Sequence, residues 1–349
     1  MALGHGDGGD DRETARIIAT MSPRERPPAS AAGVWLALGA VYVIWSTTFV
    51  AIRVTNETVP PLVGAGLRFF VAGGSLLLLG LRSGDRLADR PTRRQWRSAG
   101  IVGLLLMFGG NGGIVWAERT IPSGVAGLVI ATVPLWIAGL DRAVLGRRQP
   151  AIVVVGLVAG FAGAAILVGG SAIDGKIDIG GLLVAVAAAA SWAVGSLVQR
   201  HAELPRRPFV SAGMQMLLAS GAFAVAGALA GELGDLHPSR FSRASVLALG
   251  YLIVFGSWIG FTSYLWLLRV ARTSLVATYA YVTPVGAVIV GRVLLDEALS
   301  TTALVAGALI VAAVALIISG GGLTREDGVT EDVLAEVPGA SGVGEERRS

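Results

Sequence analysis

Cysteine is absent from the 349 residues of this chain, which excludes disulfides, thiolate metal sites and cysteine nucleophiles. Charged residues make up only 15% of the chain, against about 25% in a typical soluble domain. Three scattered histidines (His5, His201 and His237) do not predict a metal site by their spacing, and we expect no cofactor. The shortage of charge indicates that most of the chain has no water-facing surface.

Hydrophobic residues make up 53% of the chain and occur in long runs. About 20 apolar residues in a helix cross the hydrocarbon core of a bilayer. The runs lack the alternation that is typical of transmembrane β-strands. The sequence therefore predicts an all-α integral membrane protein of ten transmembrane helices. The predicted segments are residues 33–52, 61–81, 98–117, 122–140, 151–170, 179–199, 209–230, 244–268, 273–291 and 301–319.

Polar tails flank the apolar region. Residues 1–31 precede a run that is too long for the core of a signal peptide, so we expect an uncleaved anchor helix. Residues 320–349 are glycine-rich and acidic, a composition typical of disorder. With the N-terminus inside, 21 of the 28 basic residues lie on the cytoplasmic side, which predicts that both termini are cytoplasmic in a bacterial plasma membrane.

The distribution of the basic residues indicates which partners the protein has. These residues lie in short loops between apolar runs and not on one face, so the net charge of +4 does not predict a nucleic-acid partner. The expected partners are the lipid bilayer and a small-molecule substrate, and a homodimer stays open.

An internal repeat relates residues 33–170 to residues 179–319. Identical residues recur at an offset of 150 or 147 positions: Pro134 and Pro284, Arg142 and Arg292, Trp45 and Trp192, Arg53 and Arg200. Each half would hold five helices, and this odd number turns the second half upside down in the membrane. Inverted repeats are a recurring transporter design, with the substrate near the midplane between the halves. The alternative is chance matching of proline and tryptophan in apolar helices.

Catalytic motifs are incomplete. Gly170 to Lys176 begins like a P-loop, but Ile177 stands where the loop needs a hydroxyl for magnesium. An enzyme in the membrane would need paired carboxylates, a metal cluster or a serine–histidine pair within the helices. The acids near the apolar segments fall at predicted helix ends instead: Glu118, Asp141, Asp296 and Glu297.

Arg68 is the one charge well inside a predicted helix. Counted from Pro61, which suits a first helical turn, it lies about 10 Å deep at ~1.5 Å per residue. Such placement costs about 3 kcal/mol, so the residue should face a cavity or a partner. Arg68 is either a contact for a substrate carboxylate or a structural arginine bonded to carbonyls of a neighbouring helix.

Further candidate substrate contacts are Trp45, Trp192, Asn111 and Tyr281. Trp45 lies deeper than an interfacial aromatic belt, which favours a cavity wall, and Trp192 is its repeat partner. Asn111 is surrounded by glycines, which suits either a polar site or close helix packing. Tyr281 is a contact of the same kind or a packing residue.

Pro134 and Pro284 are predicted in the middles of repeat-related helices. Proline removes a helical hydrogen bond and kinks a helix. Kinks at matching positions of two halves indicate either a hinge near the binding site or a structural bend.

These residues resemble the EamA-type branch of the drug/metabolite transporter superfamily. The resemblance rests on the ten helices in two halves and on motifs in the same order: Trp45, Ser46 and Phe49; Pro61 and Arg68; Pro134 and Pro284; Leu295 and Glu297. The family usually has glutamate after the fourth helix, where this chain has Arg147 after Gly146. That departure puts any role of an acid at this position in doubt.

The resemblance implies a secondary carrier that works by alternating access without ATP hydrolysis, often exporting amino acids or related small metabolites. A multidrug or cation exporter of the same fold is the alternative. A lipid-acting membrane enzyme and a non-transporting sensor are less favoured, since the sequence offers neither a catalytic cluster nor a loop long enough for a signalling domain.

Overall fold

The computed structural model describes residues 30–83, 90–121, 123–146, 148–169, 178–295 and 301–320. These residues form helices and no β-strand, which confirms the all-α prediction. The helices are α1 (Ala31–Asn56), α2 (Pro61–Arg82), α3 (Arg93–Gly103, Leu104–Gly112 and Gly113–Ala117), α4 (Ser123–Ile130 and Val133–Leu145), α5 (Ala151–Gly169), α6 (Ile179–His201), α7 (Pro208–Leu229), α8 (Arg243–Tyr251, Leu252–Phe261 and Thr262–Val270), α9 (Thr273–Ala277 and Tyr279–Leu295) and α10 (Thr301–Ser319).

Several predictions concern positions outside this description. Most of both tails and the loop with the P-loop-like start lie outside the described residues. So do Arg147, Asp296 and Glu297, as well as the side chains of Phe49 and Arg292.

Seven helices of the described part are long and apolar enough to cross a membrane: α1, α2, α3, α4, α6, α7 and α8. Shorter apolar stretches lie in α5 and α10. Large apolar side chains such as Leu36 and Leu229 are exposed on the outside of the bundle, where a bilayer would cover them. The chain is therefore a multi-pass membrane protein, and the count of ten spans stays a prediction.

Local sequence signals set where the helices begin. Pro61 and Pro208 each occupy the first turn of a helix, where a missing N–H costs nothing. Asp178 caps α6 by accepting a hydrogen bond from Gly181 N at 2.6 Å. Thr92 and Gln95 form a capping box at the start of α3. These signals explain why the predicted and observed bounds of most segments agree within a few residues.

One of the two proline-bearing helices differs from the prediction. The fourth apolar segment is interrupted at residues 131–132, so Pro134 lies in the first turn of the second part of α4 and not in the middle of a helix. Pro284 does lie inside a helix, six residues after a break at Thr278. A break before the proline relieves the lost hydrogen bond in α4. The proposed hinge role of both residues stays a prediction.

Glycine permits a close helix crossing between α2 and α7. A Cβ atom on Gly73 would lie 2.7 Å from the backbone nitrogen of Leu217, and one on Gly213 would lie 2.6 Å from that of Leu77. Small residues at such crossings let backbones approach in a membrane. This contact joins the first half of the chain to the second.

We expect Gly73→Ala to lower the thermal midpoint of the purified protein, because the added methyl meets backbone atoms that cannot yield. Overpacking of this kind costs about 1–3 kcal/mol. Gly74→Ala is the matched control, since a Cβ atom on Gly74 has no neighbour within 4 Å. Equal midpoints for the two variants would contradict the described crossing.

Candidate functional site

Arg68 lies two turns into α2 and is only 4% exposed. Its Nε donates a hydrogen bond to Ser257 Oγ of α8 at 2.8 Å. The guanidinium carbon lies 5.0 Å from the ring centroid of Phe69 and 5.9 Å from that of Phe261. The ion pairs of the described residues include no carboxylate partner for Arg68. A buried cation is thus held by one neutral hydrogen bond and two aromatic faces.

A small cavity brings Arg68 together with Asn111. Its wall comes from the end of α1 with Thr55, the first turns of α2 with Pro61, and parts of α3 and α8. The cavity volume is about 20 Å³. That volume holds about one water molecule. A solute therefore needs a wider conformation than this one.

Two π-helical segments lie beside the cavity. Leu104–Gly112 of α3 carries Asn111, and Leu252–Phe261 of α8 carries Ser257. These segments begin 148 residues apart, close to the offset of the sequence repeat. π-Helical turns are rare and are frequently found at functional sites.

Trp45 and Trp192 meet in a buried aromatic cluster next to Arg68. Their ring centroids lie 5.6 Å apart, and each also contacts Phe261, Tyr264 and Tyr279. Trp192 Nε1 donates a hydrogen bond to the Tyr264 hydroxyl at 2.8 Å, so the buried polar groups are paired. The cluster joins α1 to α6, α8 and α9, and its member Phe261 also lies beside Arg68.

The two tryptophans make equivalent contacts in the two halves. A Cβ atom on Gly260 of α8 would lie 2.7 Å from Trp45, and one on Gly110 of α3 would lie 2.7 Å from Trp192. The two glycines are 150 positions apart and the two tryptophans 147. Helix neighbours repeat in the same way, since α1 packs on α8 and α9 while α6 packs on α3 and α4.

Glu232 closes the end of the bundle where α2 begins. Its Oε2 accepts hydrogen bonds from Leu62 N at 2.8 Å and Val63 N at 3.0 Å, and its Oε1 accepts one from Arg119 Nη2 at 2.7 Å. Pro60 makes no side-chain cap for α2, so this carboxylate caps the helix instead. Because Arg119 and α2 belong to the first half and Glu232 to the second, we call these three contacts the carboxylate latch.

Gly231 directs Glu232 into the latch. It adopts φ +78°, and the Glu232 N–H returns to Gly227 O at 2.9 Å. This is the Schellman ending of a helix, which favours glycine at the left-handed position. The turn places the buried Glu232 against the first turn of α2.

Tyr281 does not join the cavity or the aromatic cluster. It is fully buried in a separate core between α5, α9 and α10, and its hydroxyl donates a hydrogen bond to Leu157 O at 2.9 Å. Its ring also lies close to Gly160, where a Cβ atom would come within 2.7 Å. In this conformation Tyr281 packs helices, which is the alternative considered from the sequence.

The helix-end acids are not arranged as a catalytic pair in the described residues. Asp141 is buried in the last turn of α4, and Glu118 is half-buried just after α3. Burial raises the pKa of Glu118 to about 6. No cluster of three potential metal ligands is found in the part of the chain that the structure describes.

Of the residues predicted from the sequence, Arg68 and Asn111 line one cavity, and Trp45 and Trp192 lie in the neighbouring aromatic cluster. Their role in substrate binding stays a prediction. Sequence reasoning missed Gly256 and Ser257, since a Gly–Ser pair in an apolar run has no distinctive pattern. It also missed Glu232, which reads as an ordinary loop acid. A buried cation at a small cavity lined by both halves of a multi-pass bundle is typical of a membrane transporter.

Comparisons with known proteins assign the family. The EamA-like transporter family matches residues 31–169 and again 179–319. An uncharacterized inner membrane transporter of Escherichia coli (strain K12), YedA, is 38% identical over 285 residues, covering 81% of this chain and 90% of that protein. The chain therefore belongs to the EamA-like transporter family, as the resemblance implied.

One further protein and one solved structure are also similar to this chain. A protein of Salmonella typhimurium named as a probable amino-acid metabolite efflux pump is 26% identical over 284 residues, covering 78% of this chain and 90% of that protein. A crystal structure matches with a TM-score of 0.68 at 25% identity, covering 82% of this chain and 96% of the other.

Proposed function

We propose that this protein is a secondary carrier that moves small carboxylate-bearing metabolites, amino acids or related polar solutes, by alternating access between its two halves, with export the favoured direction. The observation that carries the proposal is the buried guanidinium of Arg68, which borders a cavity and has no carboxylate partner in the described residues. A substrate carboxylate would supply the missing counter-charge. Both termini would be cytoplasmic.

Two sets of contacts near Arg68 support an occluded state. The carboxylate latch holds the end of the bundle where α2 begins, and the aromatic cluster packs beside Arg68 through Phe261. Both join the first half of the chain to the second. Alternating access needs two such barriers that open in turn, and repeats of inverted topology supply them in other carriers.

The relative named as an efflux pump supports the substrate class, since its name concerns amino-acid metabolites. The small cavity is also lined by aliphatic side chains such as Val115, Leu249 and Leu252. An aliphatic amino acid or derivative would match both features: its carboxylate would contact Arg68, and its side chain would contact the apolar wall.

A multidrug or cation exporter is the second candidate. The aromatic cluster favours it, because four rings have centroids within 6 Å of that of Trp45, and aromatic faces can bind an organic cation. The buried charge of Arg68 beside the cluster opposes it, since a cationic solute would meet a like charge.

The test is uptake into liposomes that contain the purified protein, with and without a pH gradient. The panel holds neutral, acidic and basic amino acids, N-acetylated leucine and two cationic dyes. We expect saturable flux of carboxylate solutes and none of the dyes. Saturable flux of the dyes alone would overturn the proposal and favour the multidrug exporter.

A further inference from the structure

The side of Arg68 that faces α8 is already occupied. Its Nε is bound to the fully buried Ser257 Oγ. Its Nη2 lies next to Gly256, where a Cβ atom would come within 2.7 Å. The edge formed by Nε and Nη2 therefore faces the π-helical segment of α8 and is closed to a ligand.

Gly256 leaves room for the close approach of two side chains. Besides meeting Nη2, a Cβ atom there would lie 3.3 Å from Thr48 Cγ2 of α1. A Cβ atom at this position would therefore have to shift the end of the Arg68 side chain.

Two aromatic rings also lie near the guanidinium. Its central carbon lies over the ring of Phe69 of α2 at 5.0 Å from the centroid and over that of Phe261 of α8 at 5.9 Å. A carboxylate binds a guanidinium through the N–H groups of one edge. With the edge formed by Nε and Nη2 occupied, the edge formed by Nη1 and Nη2 remains for a ligand.

We propose that Gly256 and Ser257 are positioning residues that fix Arg68 so that its Nη1–Nη2 edge alone receives the substrate, which makes the site selective for a planar carboxylate bound through two parallel hydrogen bonds. Paired N–H···O bonds of this kind add geometric specificity to the charge attraction. The ligand class is a solute with one carboxylate. The inference rests on the proposed function, because it refines how that site chooses its substrate.

The π-helical form of α8 contributes to this arrangement. It places the two neighbouring residues Gly256 and Ser257 on the same guanidinium. The space and the hydrogen-bond acceptor that meet the guanidinium therefore both come from the π-helical segment.

The test compares substitutions of Ser257 in proteoliposomes, with L-leucine as the carboxylate probe and L-leucinamide as the probe without a carboxylate. Threonine and valine are nearly equal in volume, but only threonine keeps the hydroxyl of Ser257. We expect Ser257→Val and Ser257→Ala to raise the half-saturation concentration for leucine about tenfold, with the maximal rate unchanged. Ser257→Thr should keep the wild-type half-saturation concentration for leucine.

Selectivity gives a second readout that packing alone would not change. The ratio of leucine to leucinamide flux should fall in Ser257→Val and in Gly256→Ala, and it should not fall in Ser257→Thr. Equal kinetics and equal selectivity for the Thr and Val variants would overturn the positioning role.

Arg68→Met distinguishes failure of the proposed carboxylate site from failure of the positioning role of Gly256 and Ser257. Unchanged leucine flux in Arg68→Met would overturn the proposed carboxylate site itself. Loss of flux in Arg68→Met, together with wild-type selectivity in Ser257→Val and Gly256→Ala, would overturn only the positioning role.

Discussion

Arg68→Met is expected to lower saturable flux of a carboxylate solute by about 30-fold or more while the protein stays folded. Removing one partner of a buried charge pair costs about 2–5 kcal/mol of binding. Methionine keeps an extended, unbranched side chain but removes the charged guanidinium. The buried charge itself is unfavourable, at about 3 kcal/mol on insertion scales, so the thermal midpoint should stay equal or rise. Flux and midpoint are measured on the same purified sample.

The pair of readouts distinguishes the two roles considered for Arg68. A structural arginine would give a lower midpoint in Arg68→Met and lower flux through loss of folded protein. A substrate-binding arginine gives lower flux with an intact or raised midpoint. Arg68→Lys keeps the charge but not the planar fork, and we expect it to retain part of the flux with weaker discrimination against leucinamide.

Glu232→Gln is expected to open the carboxylate latch and to raise access to the cavity from that side about tenfold. The substitution removes the charge that holds Arg119 and the first turn of α2. Hydrogen bonds to charged groups contribute about 1.5–3 kcal/mol each. Glutamine keeps the size of the side chain but makes weaker, uncharged bonds.

The measurement uses the cysteine-free background of the chain. A single cysteine replaces Thr55, which is buried at the cavity wall, and its rate of labelling by a membrane-impermeant maleimide is recorded. Glu57→Gln is the control, because Glu57 is an exposed acid at the same end of the bundle and forms no ion pair among the described residues. Equal labelling rates in the two variants would show that the latch does not control access.

The helices themselves could be predicted from the sequence because each signal is local. Long apolar runs, Pro61 and Pro208 in first turns, and charged breaks fix the segments without knowledge of their neighbours. Pro134 shows the limit of this reasoning. The pattern identifies a proline in an apolar segment, but the break at residues 131–132 depends on how α4 packs.

The site was predictable only where a residue was unusual for its surroundings. Arg68 and Asn111 are polar in apolar helices, and they do line one cavity. Gly256 and Ser257 are ordinary in such helices, so their contact with Arg68 depends on tertiary structure. The tyrosines show the same limit, because Tyr264 joins the aromatic cluster whereas Tyr281 packs in a different core.

The repeat was visible in four identical pairs, but its physical meaning is clearer in the contacts. Trp45 and Trp192 were matched by sequence alone, and each lies against a glycine of a π-helical segment. A π-helical turn leaves no periodic pattern in a sequence this apolar. The equivalence of α3 and α8 was therefore not predicted from residue identity.

Counterflow tests the central claim most directly. Liposomes that contain the protein are loaded with unlabelled L-leucine, and a trace of labelled leucine is added outside without any ion gradient. We expect a transient accumulation of label in the wild type, because a carrier exchanges solutes through one alternating site, and no accumulation with Arg68→Met. Label that equilibrates without accumulation in the wild type, or an equal accumulation in Arg68→Met, would contradict the central claim.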